Sequence, residues 1–525
     1  MEFVENSIGR RVPTEIDGRK LTPFNGAFAF KPKKRKAAFN LEFGRGEKLL
    51  PSIKDAIEAV GLENGMTISF HHHLREGDYI LNMVLDIIAE MGLKDITLAP
   101  SSLFNCHSKK IIQYIKKGVI TGIEGGSLRG KLGAYVTAEN PLKGPVFVRS
   151  HGDRVRAIKT GEIDIDVAFI GAPTADEYGN CNGLSGKSAC GPLTYSHADA
   201  HYADNVVVIT DNLVPYPATP ITISQEYVDY VVEIDDIGDP SKIVSESTVV
   251  TKDPVSLLIA KRAMDLIKSS GALKDGFTFQ AGAGGISLAV TRYIHEYMKE
   301  HKIVGNFAMG GTTEYLVKML EDKVMRNILT VQAFDLSCIQ SLRKDYRHAE
   351  ITTSHYANIF SKGCAVNKLD VVVLGATEVD TKFNVNVNTH SDGLLLHPTG
   401  GHQDTAAGAD LTVITAPLKR GRIPVIVEDV TTVTTPGETV DAVVTERGIA
   451  INPKRRGLFK RARRKNLPVK TIEALKNEAY AICGKPTPPN LTDNIIGLIE
   501  YRDGTIIDVV RQVKRRSSGV FEKSI

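Results

Sequence analysis

Apolar positions along the chain follow two alternating rhythms. Ile53, Ala56, Ile57 and Val60 recur at helical spacing. The pattern then predicts a short strand at 66–70, a strongly apolar helix at 79–91 (YILNMVLDIIAEM) and a strand at 96–99. Strands are predicted at 146–148, 165–170, 205–210 and 230–234, with a helix at 151–158. The second half continues in the same style. It predicts helices at 255–267, 286–298 and 472–481, strands at 277–281, 371–374, 411–415 and 423–427, and a hairpin at 496–509. Several strands are continuous apolar runs, the mark of mainly parallel sheets covered by helices on both faces. The expected fold class is α/β.

The chain also states one segment twice. DVAFIGAPTADEYGN (166–180) and DVVVLGATEVDTKFN (370–384) share Asp166/Asp370, Val167/Val371, Gly171/Gly375, Ala172/Ala376, Asp176/Asp380 and Asn180/Asn384 at a constant offset. A second echo pairs NGMTISF (64–70) with DGFTFQA (275–281). Two copies of one α/β unit predict two pseudo-repeated domains with a site in the cleft between them. The polar, turn-rich stretch GDPSKIVSESTVV (238–250) marks the boundary. The expected division is an N-terminal arm at 1–45, carrying the basic run KPKKRK at 31–36, one domain at 46–245 and a second at 246–525 that ends in a flexible tail.

Charge and composition remove several function classes. A net charge of +4 is too small to argue for nucleic acid. Nothing in the sequence is apolar over the roughly 20 residues that a membrane helix needs. The N-terminus lacks the apolar core of a secretory signal. Cys106, Cys181, Cys190, Cys338, Cys364 and Cys483 are scattered, with no Cys-x-x-Cys pair, so neither a disulfide framework nor a metal site is expected. A reducing, cytoplasmic setting fits.

Five segments carry candidate chemistry. In QAGAGGISLA (280–289), Gly282, Gly284 and Gly285 follow a strand and open a helix. Such a turn is either an anion or oxyanion loop or a plain strand-to-helix connection. Glu314, after Gly310-Gly311-Thr312-Thr313, reads locally as a carboxylate balancing a helix dipole. The sharper reading makes it a nucleophile opposite the glycine loop. HPTGGHQDTAAGAD (397–410) packs Gly400, Gly401, His402, Gln403 and Asp404 into one loop, which suits backbone stabilisation of a tetrahedral oxyanion better than an Asx turn. His71, His72, His73 and Arg75 follow the first strand, and a cationic pocket for carboxylates fits them better than a metal site. Eight of the twelve residues at 454–465 (KRRGLFKRARRK) are basic, forming either a solvated face or a docking strip for an acidic partner.

Taken together and in order, SFHHHLREGD (69–78), GAPTADEYGNCNG (171–183), QAGAGG, the Thr312-Thr313-Glu314 triplet, GATEVD (375–380), TGGHQD (399–404) and VVTERGIAIN (443–452) resemble the alpha-subunit family of citrate lyase, within the CoA-transferase superfamily. The resemblance covers essentially the whole chain. It implies two CoA-transferase-like domains and an exchange in which acetyl-[acyl-carrier protein] and citrate give citryl-[acyl-carrier protein] and acetate through a mixed anhydride. It implies no permanently bound cofactor, the thiol coming from a phosphoribosyl-dephospho-CoA group on a carrier subunit or from a CoA thioester. The implied partners are the beta (citryl lyase) and gamma (acyl-carrier) subunits in an oligomer. Glu314, Gly400 and Gly401 are then the catalytic candidates. Gly282, Gly284, Gly285, His402, Gln403 and Asp404 are expected on the thiol-carrier side, and His72 and Arg75 on citrate. Rival readings are a free-CoA transferase or acyl-CoA hydrolase, and a scaffold subunit with catalysis elsewhere.

Overall fold

Residues shared by the two repeats do the same structural work in each. Asp166 accepts the amide N–H of Thr67 (2.7 Å), and Asp370 that of Thr278 (2.8 Å), so each pins its strand to the start of the neighbouring one. Asp176 gathers the amides of Tyr178, Gly179 and Asn180, and Asp380 those of Lys382 and Asn384. Each of these aspartates also accepts from the side chain of the repeat's asparagine, Asn180 or Asn384. The identities seen in the sequence are thus turn and strand locks.

The structure is a computed structural model that describes residues 2–29, 47–125, 128–244 and 250–514. The basic run at 31–36 and the expected C-terminal tail lie outside the described residues. Two large sheets carry the fold. The first orders its strands 506–513, 491–500, 146–148, 120–125, 96–98, 67–69, 167–171, 205–210, 230–233 and 49–50. The second runs 348–350, 325–333, 305–312, 278–281, 371–375, 411–415, 442–445, 448–451 and 469–470. From 146–148 to 230–233 in one, and from 348–350 to 442–445 in the other, the order and parallel sense match strand for strand. The expected α/β architecture of mainly parallel sheets flanked by helices is observed.

Helices form where the apolar stripe and the caps agree. Ser52 caps Ile53–Ala59 by accepting from the Asp55 amide, and that helix buries Ile53, Ala56 and Ile57. The helix His151–Thr160 is capped by Ser150 and ends at Gly161 in the left-handed conformation. Strand interiors such as Val371, Val372 and Val373 are fully buried, as an apolar run between two helix layers requires.

Three expectations need correction. The terminal hairpin, assigned with the second domain, pairs Leu491–Glu500 in parallel with Val146–Val148 and so extends the first sheet. Its apolar residues Ile496, Ile499, Tyr501 and Ile507 belong to the first core, and residues 2–29 fold over it with Val12, Ile16 and Phe24 buried. The strand predicted at 423–427 is only a two-residue ladder of Ile423–Pro424 with Lys419–Arg420; Val425, Ile426 and Val427 are buried as the apolar run requires, but beyond that ladder only Ile426 makes an isolated bridge, to Val379. Strands Ile120–Gly125, Gly305–Thr312 and Met325–Ala333 are absent from the sequence reading. Their glycines and polar residues interrupt the apolar run that signals a buried strand.

One tie between the two halves is titratable. Glu350, at the end of an edge strand of the second sheet, accepts the Leu193 amide (2.7 Å) and Thr222 Oγ1 (3.4 Å) from the first half. Burial raises its pKa to about 7. A raised carboxylate favours folding fully below the ordinary carboxylate range and loses that contribution as pH rises through about 7. Glu350→Gln stays neutral and still accepts from Leu193. The variant and the wild type should therefore have similar thermal midpoints near pH 5. At pH 8 the variant should be the more stable, by on the order of 3 kcal/mol. Denaturation curves at the two pH values check this, and a variant less stable at pH 8 refutes it.

Candidate active site

The C-terminal ends of the strands of both sheets open onto one cavity of ≈ 790 Å³. This is where open parallel sheets present their loops. The first half contributes His72 and Arg75 beyond strand Thr67–Ser69, and Ser102 and Phe104 beyond Ile96–Leu98. It also supplies Arg129, His151 at the start of its helix, and Tyr195. The second half contributes Gln280 and residues 281–287, residues 375–377, Tyr356, residues 396–402 and Arg420. Every glycine singled out in the two loops, Gly282, Gly284, Gly285, Gly400 and Gly401, lines this space, and so do His72, Arg75 and His402.

The glycine turn at 282–285 leaves room beside its backbone. A β-carbon at Gly284 would meet nothing within 4 Å, and at Gly282 only ordinary van der Waals neighbours. Gly285 opens the sixteen-residue helix Gly285–Glu300, so first-turn amides without helical partners face the cavity. The second loop is held by its neighbours. Gly400 has φ 59°, a left-handed conformation suited to glycine, and its carbonyl accepts the His151 amide at 2.9 Å. Gly401 touches Tyr356 Oη, and any side chain there would collide with the phenol. Among the described residues, the amides of Gly400 and Gly401 meet no protein acceptor.

Gln403 and Asp404 sit just behind this loop and do not line the cavity. Asp404 accepts Ser150 Oγ (2.9 Å) and the Gly152 amide (3.0 Å), and Gln403 donates to the carbonyls of Thr434 (2.8 Å) and Glu500 (3.0 Å). Burial raises the Asp404 pKa to about 6. These two side chains brace the loop against the first half. His402 is fixed between Thr435 Oγ1 (2.7 Å) and the Gly375 carbonyl (2.9 Å), and burial lowers its pKa to about 4.

The cavity's electrostatics are one-sided. Its lining holds Arg75, Arg129 and Arg420 with His72, His151, His390, His397 and His402, and no Asp or Glu among the described residues. Burial and then the charge of Arg75 lower the Arg129 pKa to about 10. Both guanidiniums lie over Phe104, Arg129 at 4.2 Å and Arg75 at 5.5 Å from the ring centroid. Arg75 adopts φ 56°, a left-handed conformation that a non-glycine residue keeps only when its surroundings hold it there. Burial, followed by Arg129, lowers the His151 pKa to about 4, and His72 is pushed well below its usual value chiefly by burial. These histidines are neutral at pH 7 and can donate or accept hydrogen bonds. A bound polyanion would offset the repulsion that Arg75 exerts on Arg129, adding to the counter-charge of Glu76.

Glu314 is not among the residues that line the cavity. It is the first residue of helix Glu314–Glu321, its side chain is 51% exposed, and it pairs with Lys318 (3.4 Å). The local reading, a carboxylate at a helix start, describes its position. The basic strip also lies elsewhere. Leu458 and Ala462 bury one face of helix Arg456–Arg464, Arg461 donates to the Ser269 carbonyl (3.2 Å), and Lys454 and Arg455 pair with Asp441 (3.4 Å each). Asp441 precedes strand Ala442–Thr445, so the strip occupies the end of the sheet opposite to the cavity. Sequence reading missed Arg129, His151, Tyr195, Tyr356 and Arg420 as lining residues. Each stands alone in its segment, so no local motif announces it.

A family model for the citrate lyase alpha subunit matches residues 46–513. The citrate lyase alpha chain of Klebsiella pneumoniae is 47% identical over 494 residues, covering 94% of this chain and 96% of that one. That of Escherichia coli K12 is 46% identical over 488 residues, covering 93% and 95%. A Streptococcus mutans structure described as a citrate lyase alpha subunit in complex with citrate superposes with a TM-score of 0.93 at 50% identity, covering 97% of this chain and all of that one. The alpha subunit of a malonate decarboxylase from Acinetobacter baumannii shares the fold alone, with a TM-score of 0.64 at 15% identity over 84% of this chain and 93% of that one. With its glycine loops and cationic cavity in place over almost its full length, the chain belongs to the citrate lyase alpha subunit family.

Proposed function

We propose that this chain exchanges acyl groups between a carrier-bound acetyl thioester and citrate, giving a citryl thioester and acetate. One observation carries the reading: two glycine loops, in which the amides of Gly284, Gly285, Gly400 and Gly401 meet no protein acceptor while that of Gly282 donates to the Val373 carbonyl, share a cavity with three arginines and no carboxylate side chain among the described residues. The guanidiniums suit a tricarboxylate, and the amides suit the oxyanion of a thioester under attack. Citrate's terminal carboxylate, held beside the acetyl thioester, attacks the carbonyl carbon. The carbonyl π pair moves to oxygen, and the adduct collapses with loss of thiolate to a mixed anhydride. The thiolate then attacks the citryl carbonyl of that anhydride and acetate departs. The thioester's free energy is conserved, so no nucleotide is consumed. Burial keeps water from the anhydride and strengthens each hydrogen bond to the developing charge.

In this reading Arg75 and Arg129 grip citrate, with neutral His72 and His151 as hydrogen-bonding neighbours. The loops at 282–285 and 400–401 receive the acyl group and the thiol arm, which a carrier subunit with a CoA-derived group or a CoA thioester would supply. A beta subunit that cleaves the citryl thioester would follow in the complex. Exchange is direct between the bound acids, because Glu314 stands outside the cavity. The basic strip faces away and is given no part in delivering the arm.

The deciding experiment incubates the purified chain with acetyl-carrier subunit and labelled citrate. Label should enter the thioester fraction only when the chain is present. Its absence would overturn the reading, and equal rates with free acetyl-CoA would favour a CoA-dependent transferase. Arg129→Ala should raise KM for citrate by roughly 10- to 100-fold, the 1.5–3 kcal/mol of a charged hydrogen bond, and leave the reverse reaction's KM for acetate within about threefold. Equal losses for both acids would contradict the citrate assignment. Glu314→Ala should keep exchange within roughly twofold of wild type, since an exposed ion pair one helical turn apart contributes only about 0.3–0.5 kcal/mol. A loss of an order of magnitude or more would restore Glu314 to the chemistry.

A further inference from the structure

We propose that Tyr356 is a further catalytic residue, whose phenol O–H donates a hydrogen bond to the oxyanion of the tetrahedral adduct beside the amides of Gly400 and Gly401. The inference rests on the acyl-exchange reading above and adds a side-chain donor to it.

Three observations converge on this phenol. First, Tyr356 is only 2% exposed yet lines the cavity. Second, its Oη accepts a hydrogen bond from Gln280 Nε2 at 2.8 Å. Gln280 belongs to strand Thr278–Ala281 and is joined by Ala281 to the first glycine turn. That bond occupies one lone pair and fixes the hydroxyl rotor, while no protein acceptor among the described residues takes the phenol's own proton. Third, Oη lies against Gly401, close enough that a β-carbon there would collide with it. The second glycine loop therefore presents two backbone N–H groups, and a fixed O–H sits beside them. A tyrosine kept for packing alone would leave a buried donor unmet, a cost that phenylalanine would avoid.

The chemistry needs a donor that does not surrender its proton. When the carboxylate oxygen bonds to the thioester carbon, the π pair moves to oxygen. When the C–S bond breaks, that pair returns to re-form the carbonyl. An acid that protonated the oxygen would trap the adduct. A phenol held far above its usual pKa by burial, with the Asp404 charge adding to the effect, stays O–H throughout. Its proton remains on Tyr356 in both half-steps, so the exchange needs no proton balance from the residue. Gln280 acts through the phenol and is a positioning residue.

The test uses the full chain with acetyl-carrier subunit and citrate. Tyr356→Phe should lower kcat by about 100-fold or more, as loss of one oxyanion donor does, with KM for citrate unchanged. Gln280→Leu should lower kcat by a smaller factor in the wild-type background and add little in the Tyr356→Phe background. Placing 3-fluorotyrosine and 3,5-difluorotyrosine at 356 strengthens the donor stepwise without changing the ring's packing. Near neutral pH kcat should rise along that series, and the difluoro variant alone should lose activity at alkaline pH as its phenolate forms. A flat series, or Tyr356→Phe with wild-type kcat, overturns the role of Tyr356 and leaves the acyl-exchange reading standing. No exchange by the wild-type chain overturns both.

Discussion

The cavity exists because one buried junction holds the two sheets with their strand ends facing. Asp404 of the second half accepts Ser150 Oγ and the Gly152 amide of the first, and the His151 amide donates to the Gly400 carbonyl. Gln403 donates to the carbonyl of Glu500 in the terminal hairpin, and Arg502 of that hairpin donates to the Asp404 carbonyl. These groups lie in the interior, where breaking such a bond leaves a donor or acceptor unmet at a cost, so the bonds favour this arrangement of the two halves. It sets the distance between the loop at 400–401 and the N-terminus of helix His151–Thr160. The lining histidines, the tyrosines and the glycine amides take their positions from that distance. Wrapping the C-terminal hairpin onto the first sheet strengthens the same junction, because the chain's end is then bound to the half opposite the one it follows.

The second organising feature is the distribution of charge. Two buried arginines elsewhere are paired with carboxylates: Arg154 with Asp199, and Arg156 with Asp153 and Glu162. The guanidiniums at the cavity are not matched by lining carboxylates among the described residues. Glu76 is a counter-charge to Arg75 and Arg129 from outside the lining, and an anionic ligand would add to that balance within the cavity. The same burial keeps His72, His151, His397 and His402 neutral and the phenols of Tyr195 and Tyr356 protonated, so the site holds fixed cations and neutral hydrogen-bonding groups side by side. That combination suits chemistry in which carboxylates and thiolates exchange places and no proton changes hands.

The pseudo-repeat explains why identity and function diverge along this chain. Positions identical between the halves, Asp166/Asp370 and Asp176/Asp380, lock strands and turns. The side chains that set the cavity's charge lie where the halves differ. After strand Thr67–Ser69 the chain places His72 and Arg75, and after the equivalent strand Thr278–Ala281 it places a glycine turn. At this pair of equivalent loops one half thus supplies His72 and Arg75 and the other bare backbone, while Arg420 adds a cation from the second half.

By itself, the sequence determined what depends on local order. Apolar runs of four to six residues became the central strands, and caps such as Ser52 and Ser150 set helix starts. The repeat foretold two sheets of like topology, and the ordered motifs identified the family. Glycines at 282–285 and 400–401 were legible as candidates from their clustering in turns, and both loops line the cavity. Only the tertiary structure decided which residues share the cavity. Arg129, Tyr356 and Arg420 lie far apart in the chain and look ordinary in their own segments. Glu314 carries a suggestive motif, yet the helix it begins turns its carboxylate to solvent. The terminal hairpin read correctly as a hairpin, but its sheet could not be read, because an apolar edge strand specifies burial and not a partner. Local sequence fixes periodicity and turn chemistry, whereas distance between remote side chains follows from packing, which no window of the chain contains.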